Sequence, residues 1–327
     1  MPDTSTLTLL HVLGNFSDPY TGAERELPDL AAALQGRRDC VLWSVAPPHP
    51  VYAAQGVRLL DAANGQFPRG GMLLLGGVHL GIGEWIREAR PERVAMRYNL
   101  PQHERVCRMA AYLELMTGLQ PELLFCSRMQ QRSVGLPGRF EASLIRLAPF
   151  LAVPFQRPTG RPFTVGRASR DVLEKHHPDD VGLYRLLAAR GVQVRIMGGT
   201  CLAPWLTGVP GIELLPVGAM PVQDFFASLD TFVYRTGGFN EPYGRVVFEA
   251  MATGLPVVVA DSGGFADEVT PGHDGFVFAT REQAFDALTR LQAEPDLRAR
   301  MAVAARDTAV RLHGDAAIEA NLAFYLR

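Results

Sequence analysis

Lysine is almost missing from this 327-residue sequence: Lys175 is the single one among 32 basic residues, and the rest are arginine. Cysteine is sparse as well. Cys40, Cys107, Cys126 and Cys201 are scattered and form no C-x-x-C pair, which argues against a zinc cluster or a disulfide framework and fits a reducing compartment. No run approaches the ~20 apolar residues that a membrane-spanning helix needs. No basic surplus exists either: the net charge is -2, so there is no field suited to holding nucleic acid. The opening MPDTSTLTLLHVLG has no basic region and only a short apolar run, and it reads as a first strand rather than a signal peptide. A cytoplasmic location is expected, with room for peripheral contact at the inner membrane face. Arg87, Arg90, Arg93, Arg97, Arg105 and Arg108 interleave with Glu84, Glu88, Glu92 and Glu104, a pattern that reads as a solvated charged face rather than a lipid-facing one.

Hydrophobic residues make up 47% of the chain and charged residues 20%, which rules out disorder and suffices for two domains of ordinary size. Short apolar runs alternate with helical periodicity. Strands are expected over 7–13, 40–45, 72–79, 93–97 and 123–126, with helices over 23–34 and 82–89. Leu27, Leu30, Ala31 and Leu34 share one face of the first helix, and Pro28 places the start of its regular part there. Residues 153–162, VPFQRPTGRP, carry Pro154, Pro158 and Pro162 and read as a linker. The alternation then restarts, with strands over 163–166, 192–197, 212–215, 231–234, 256–260 and 275–278 and a helix over 180–190. The C-terminal region is mainly helical, with Leu297, Met301 and Ala305 four apart. The expected domains are 1–152 and 163–327, the last helix packing back on the first. This pattern belongs to parallel α/β sheets covered on both faces, whose ligands bind at the carboxyl ends of the strands.

Residues 241–264 read EPYGRVVFEAMATGLPVVVADSGG. A loop of Glu241, Pro242, Tyr243 and Gly244 leads into a helix over 245–253, ended by Gly254 and Pro256. The N–H groups near Gly244, Arg245 and Val246 then form a helix N-terminus, whose donors and dipole suit a phosphate. Glu249, about one turn in, is within reach of a ligand docked there, and its carboxylate accepts two hydroxyl hydrogen bonds, as a ribose diol offers. Two glutamates eight apart are, by themselves, ordinary surface acids. The string around them closely resembles the donor-domain motif of family-4 retaining glycosyltransferases: Glu241, seven residues, Glu249, then Ala250, Met251, Ala252, Gly254, Leu255, Pro256, Val257 and Val258. That resemblance implies the GT-B architecture, two Rossmann-like domains facing each other across a cleft. It implies Glu249 on the ribose, Glu241 on the hydroxyls of the transferred sugar, and the backbone of Tyr243, Gly244, Arg245 and Val246 on sugar and diphosphate.

Upstream, residues 163–175 read FTVGRASRDVLEK. A Gly-Arg after a strand with a later lysine is similar to the family's diphosphate clamp, which implies that Arg167 and Lys175 neutralise the phosphates. The chain's lone lysine falls at that position, and a site needing a compact ammonium resists replacement by arginine. Gly198 and Gly199 follow a strand as in the family's nucleotide loop, and Gly22 in TGAER resembles the glycine loop that opens the first helix. Many members carry a histidine after a strand of the first domain. Here 93–97 is followed by Tyr98 and Asn99, so Asn99, His103 or His79 could fill that position.

The resemblance implies transfer of a sugar from a nucleotide-diphosphate sugar to a hydroxyl of a polysaccharide, lipid-linked or other glycan acceptor, with retention of configuration. The donor is a substrate, so no cofactor is expected. No Asp-x-Asp motif lies near a donor-domain strand end, so no metal is expected either. A silent nucleotide-sugar-binding subunit, or an epimerase or hydrolase of the same architecture, is the alternative. A nicotinamide enzyme would need G-x-G-x-x-G after the first strand, and 14–22 lacks it.

Overall fold

The computed structural model describes residues 9–98, 103–155, 160–238 and 240–327. The chain divides into two compact units, one of Met1–Ile145 with Asp315–Arg327 and one of Arg146–Gly314.

In the first unit, seven parallel strands stand in the order β3-β2-β1-β4-β5-β6-β7. They are β1 (Leu10–Gly14), β2 (Cys40–Ser44), β3 (Arg58–Leu59), β4 (Met72–Leu75), β5 (Arg93–Tyr98), β6 (Glu122–Phe125) and β7 (Arg139–Phe140). Successive side chains of a strand point to opposite faces, so an unbroken apolar run feeds two cores. Leu10, Val12, Met72, Leu74, Ala95 and Leu124 pack on one face with Leu27 and Leu30 of the helix Gly22–Ala33 and with Leu322 and Phe324 of the helix Asp315–Tyr325. Leu73, Leu75, Val94, Met96, Leu123 and Phe125 pack on the other, under Ile86, Val106 and Leu113.

Several local expectations are corrected. The helix Gly22–Ala33 is regular from Gly22 and runs through Pro28. Its first turn is tied down because Glu24 accepts from the Asp18 N–H (2.8 Å) and the Ser17 hydroxyl (3.2 Å), and Leu27 and Leu30 are buried on either side of the proline. Strand β4 stops at Leu75 rather than 79, where Gly76 lies so close under Leu27 that a Cβ would meet its Cδ1 at 2.5 Å. The two-residue edge strands β3 and β7 and the helices Pro50–Ala53 and His103–Thr117 were not expected. Arg97 is not on a solvated face. It is 2% exposed, its guanidinium bonded to Glu26 (2.6 Å) and Glu141 (2.6 Å), while the Tyr325 hydroxyl donates to Glu141 (2.7 Å). Burial alone would lower the Arg97 pKa, but the two carboxylates outweigh it and hold the group well above its ordinary value.

In the second unit, six parallel strands stand in the order β10-β9-β8-β11-β12-β13. These are β8 (Thr164–Ala168), β9 (Gln193–Met197), β10 (Ile212–Leu215), β11 (Thr231–Tyr234), β12 (Val257–Ala260) and β13 (Gly275–Phe278). Helices Pro178–Ala189, Arg281–Ala293 and Pro295–His313 contribute Leu183, Leu187, Leu288, Leu291 and Met301 to its core. The unit starts at Arg146, upstream of the proline-rich 153–162, because the helix Ala148–Leu151 sets Phe150 against Phe226 (6.2 Å between centroids) and the Arg306 guanidinium donates to the Val153 carbonyl (2.8 Å). It ends at Gly314, and Asp315–Arg327 belongs to the first unit. Strand order reverses between β8 and β11, the switch point at whose carboxyl ends open α/β sheets bind ligands. Among the described residues, no helix is long and apolar enough to cross a membrane.

Candidate functional site

At the β8–β11 switch point the structure gathers residues that are far apart in sequence. Lys175 closes a 3-10 turn (Leu173–Lys175) after β8 and is 9% exposed; its ammonium is paired with the Glu241 carboxylate. The Tyr234 hydroxyl, at the end of β11, donates to the same Glu241 oxygen (3.1 Å). The Gly237 and Gly238 N–H groups donate to the Glu174 carbonyl (3.1 and 3.0 Å), which fixes the lysine turn to the loop after β11.

Arg167, where the resemblance expects a phosphate contact, points inward. It is 1% exposed. Its Nε donates to His176 Nδ1 (3.2 Å), one terminal nitrogen to the Arg235 carbonyl (2.7 Å) and the other to the Lys175 carbonyl. The guanidinium lies over the Tyr234 ring, 4.8 Å from its centroid. Because His176 Nδ1 accepts, the ring proton sits on Nε2, which donates to the Gly198 carbonyl (2.9 Å). Burial and then the Arg167 charge lower the His176 pKa to about 4, so this imidazole is neutral near neutral pH. Arg235 in turn binds the buried Asp180 (2.6 Å), whose pKa burial raises even against the pull of Arg235 and Arg167.

Gly198 has φ +76° and a Cβ there would overlap the Ser169 carbonyl oxygen; Gly199 is buried beside Ile196. Asp171 accepts from the Cys201 N–H (2.8 Å) and the Thr200 hydroxyl, so the turn after β9 is held against the loop after β8.

Glu241 is anchored through its backbone: its carbonyl accepts from the Gly264 N–H (2.8 Å), and it bridges Gly263 in parallel. The helix beyond spans Arg245–Ala252, and Gly244 is its N-cap at φ +76°. A Cβ on Gly244 would meet Phe265 at 2.6 Å, so both the conformation and the space call for glycine. First-turn N–H groups, Val246 among them, point out of that end. Tyr243 is buried, stacked on Phe248 at 4.7 Å, and its hydroxyl shares a hydrogen bond with His313 Nε2 (2.9 Å). Glu249 is 3% exposed, with one carboxylate oxygen 4.0 Å from Arg245 Nε one turn back.

The structure therefore brings Arg167, Lys175, Gly198, Gly199, Glu241, Tyr243, Gly244, Arg245, Val246 and Glu249 into one unit around the switch point. Gly22 and His79 lie in the other unit. Gly22 is the first residue of its helix, and His79 is on the loop after β4, its pKa lowered first by desolvation and also by Arg105, against a raising effect of Glu24. That loop and the helix His103–Thr117 line a cavity of about 330 Å³ with Val78, Leu80, Ile82, Arg105, Arg108 and Tyr112 on its walls. Asn99 lies outside the described residues, as does the side chain of His103. The sequence reading missed His176, Tyr234 and Phe265. Only the adjacency of His176 to Lys175 hinted at the first; the aromatics looked like core residues.

Two parallel-sheet α/β domains of this kind are the GT-B fold class, and the comparisons agree. Residues 216–308 match the family model described as Glycosyl transferases group 1. A GDP-mannose-dependent alpha-mannosyltransferase of Mycobacterium tuberculosis is 35% identical over 156 residues, covering 46% of this chain and 38% of that protein. A D-inositol 3-phosphate glycosyltransferase of Stackebrandtia nassauensis is 34% identical over 100 residues, covering 30% of this chain and 22% of that protein. The match thus spans less than half the length of either relative. The solved structure of Anabaena Alr3699/HepE in complex with UDP superposes with a TM-score of 0.75 at 15% identity, covering 98% of this chain and 99% of that one. That likeness shows the fold: two Rossmann-like domains as in GT-B glycosyltransferases.

Proposed function

We propose that this protein is a retaining, metal-independent glycosyltransferase that moves a sugar from a nucleoside-diphosphate sugar to the hydroxyl of a glycan or lipid-linked acceptor, at the cytoplasmic side of the cell. The observation that carries the reading is the Lys175–Glu241 pair at the switch point, next to the helix N-terminus at Gly244, within a unit that includes the stretch matched to glycosyl transferases group 1. In the free protein the two charges satisfy each other. Donor binding gives each a new partner: the diphosphate for the ammonium, and the sugar hydroxyls for the carboxylate.

As the glycosidic bond breaks, negative charge grows on the departing diphosphate. Lys175 and the dipole of the helix Arg245–Ala252 stabilise it in place. Glu249 takes the ribose diol. The departing phosphate oxygen accepts the acceptor proton, so no glycosidase-like carboxylate pair is required. Peripheral contact with a membrane surface brings a lipid-linked acceptor within reach.

Thermal unfolding with a panel of nucleotide sugars in EDTA tests the donor. GDP- and UDP-sugars come first, because one similar relative is GDP-mannose-dependent and the similar solved structure holds UDP. A donor at ~100 times its dissociation constant adds about 2.7 kcal/mol, a plainly visible shift. Transfer in EDTA followed by anomeric analysis of the product tests the rest; a strict metal requirement or an inverted product would sink it. A silent nucleotide-sugar-binding subunit is the second reading, favoured by Asn99 rather than histidine after β5. Binding without turnover on any acceptor would select it.

A further inference from the structure

Arg167 holds parts of the structure that carry both members of the Lys175–Glu241 pair. It lies within β8, and Nε and both terminal nitrogens donate to protein acceptors. Two of its contacts lead to the Lys175–Glu241 pair by separate routes. A terminal nitrogen holds the Lys175 backbone at its carbonyl. The flat face of the guanidinium lies on Tyr234, whose hydroxyl holds Glu241. Phe265 braces the same tyrosine edge-on (5.5 Å, 82°). One buried cation thus sets both halves of the pair.

Its own orientation depends on His176. A guanidinium is planar, and the direction of its Nε–H decides where both terminal nitrogens aim. His176 Nδ1 receives that Nε–H, and the other ring nitrogen is anchored on the Gly198 carbonyl. The imidazole is a fixed strut between the turn after β9 and the guanidinium of β8.

We infer that Arg167 and His176 are positioning residues for the Lys175–Glu241 pair: Arg167 holds the Lys175 backbone and, through Tyr234, the Glu241 carboxylate, and His176 sets the orientation of Arg167. This rests on the donor-site reading above for its meaning in catalysis, but the geometry it asserts is testable without any nucleotide.

The lone lysine supplies the probe. Labelling with 15Nζ-lysine yields one side-chain resonance, that of Lys175. In the wild-type protein it should be shifted from that of an exposed lysine and protected from exchange, because the ammonium is ion-paired and nearly buried. His176→Asn keeps an acceptor where Nδ1 stands, so the resonance should stay near its wild-type position. His176→Gln keeps instead the donor toward Gly198 and loses that acceptor; the resonance should move to the exposed-lysine position and exchange rapidly. Arg167→Gln should do the same. Folding is checked by circular dichroism and melting temperature, and the Asn–Gln contrast stays informative if Arg167→Gln does not fold. An unmoved resonance in His176→Gln, or equal displacement in the Asn and Gln variants, overturns the inference. Titration with UDP and GDP separates the two ideas. If neither binds the wild-type protein while the resonance still follows the Asn–Gln contrast, the positioning network stands and the donor-site reading falls. If both bind and His176→Gln loses affinity with its resonance unmoved, His176 acts on the donor by a route other than Lys175 and the inference is wrong.

Discussion

Acidification should destabilise this protein through one histidine. His176 has a pKa of about 4 when folded, against 6.5 for the unperturbed group. Between those values the unfolded chain binds a proton that the folded protein refuses. Stability from this group is therefore fully present above about pH 6.5 and is lost as the pH falls toward 4. From this pair of values, the loss is about 2 kcal/mol between about pH 7 and pH 5, and about 3 kcal/mol by about pH 4. The cause is visible in the fold: a second proton on the ring would remove the acceptor that Arg167 Nε uses and place a cation against a buried guanidinium. Urea unfolding of the wild-type protein and His176→Asn at about pH 7 and pH 5 measures it. Other groups titrate alike in both proteins, so the wild type should lose about 2 kcal/mol more than the variant. Equal losses would refute the reasoning.

Lys175→Ala should lower kcat by about 10²–10³-fold, the usual cost of removing one preorganised donor from developing charge; unchanged turnover would end the view of Lys175 as a diphosphate ligand. Gly244→Ala should cost at least about 1–2 kcal/mol for a left-handed alanine, with an added loss of nucleotide affinity because Phe265 must move from the helix N-terminus; calorimetry with UDP and GDP, and a melt, read both. Arg97→Met should cost about 3–5 kcal/mol by leaving Glu26 and Glu141 buried without their cation; a loss near zero in urea unfolding would show that the carboxylates find other partners.

Much of this molecule is legible in its sequence, because the signals involved are local. Apolar runs such as VVVA of β12 announce strands buried on both faces. The loop ending at Gly244 announces a helix start with outward N–H groups. Lys175 and Glu241 stand out individually, one by rarity and one by its surrounding string. What tertiary structure decided is how these pieces meet. A parallel sheet places the carboxyl ends of β8 and β11 side by side although the helices and strands between them separate them in sequence, so a lysine and a glutamate 66 residues apart become one ion pair. The inward turn of Arg167 could not be read from FTVGRASRDVLEK, because its burial and the Arg235 carbonyl come from elsewhere in the fold, and the string does not show that Lys175 and the adjacent His176 turn back onto it. Phe265 and Tyr234 look like any core aromatic until the chain folds and sets one beneath two glycines and the other beneath a guanidinium. Spacing along a chain encodes periodicity and caps; it does not encode which buried polar group must satisfy which, and that matching made the site.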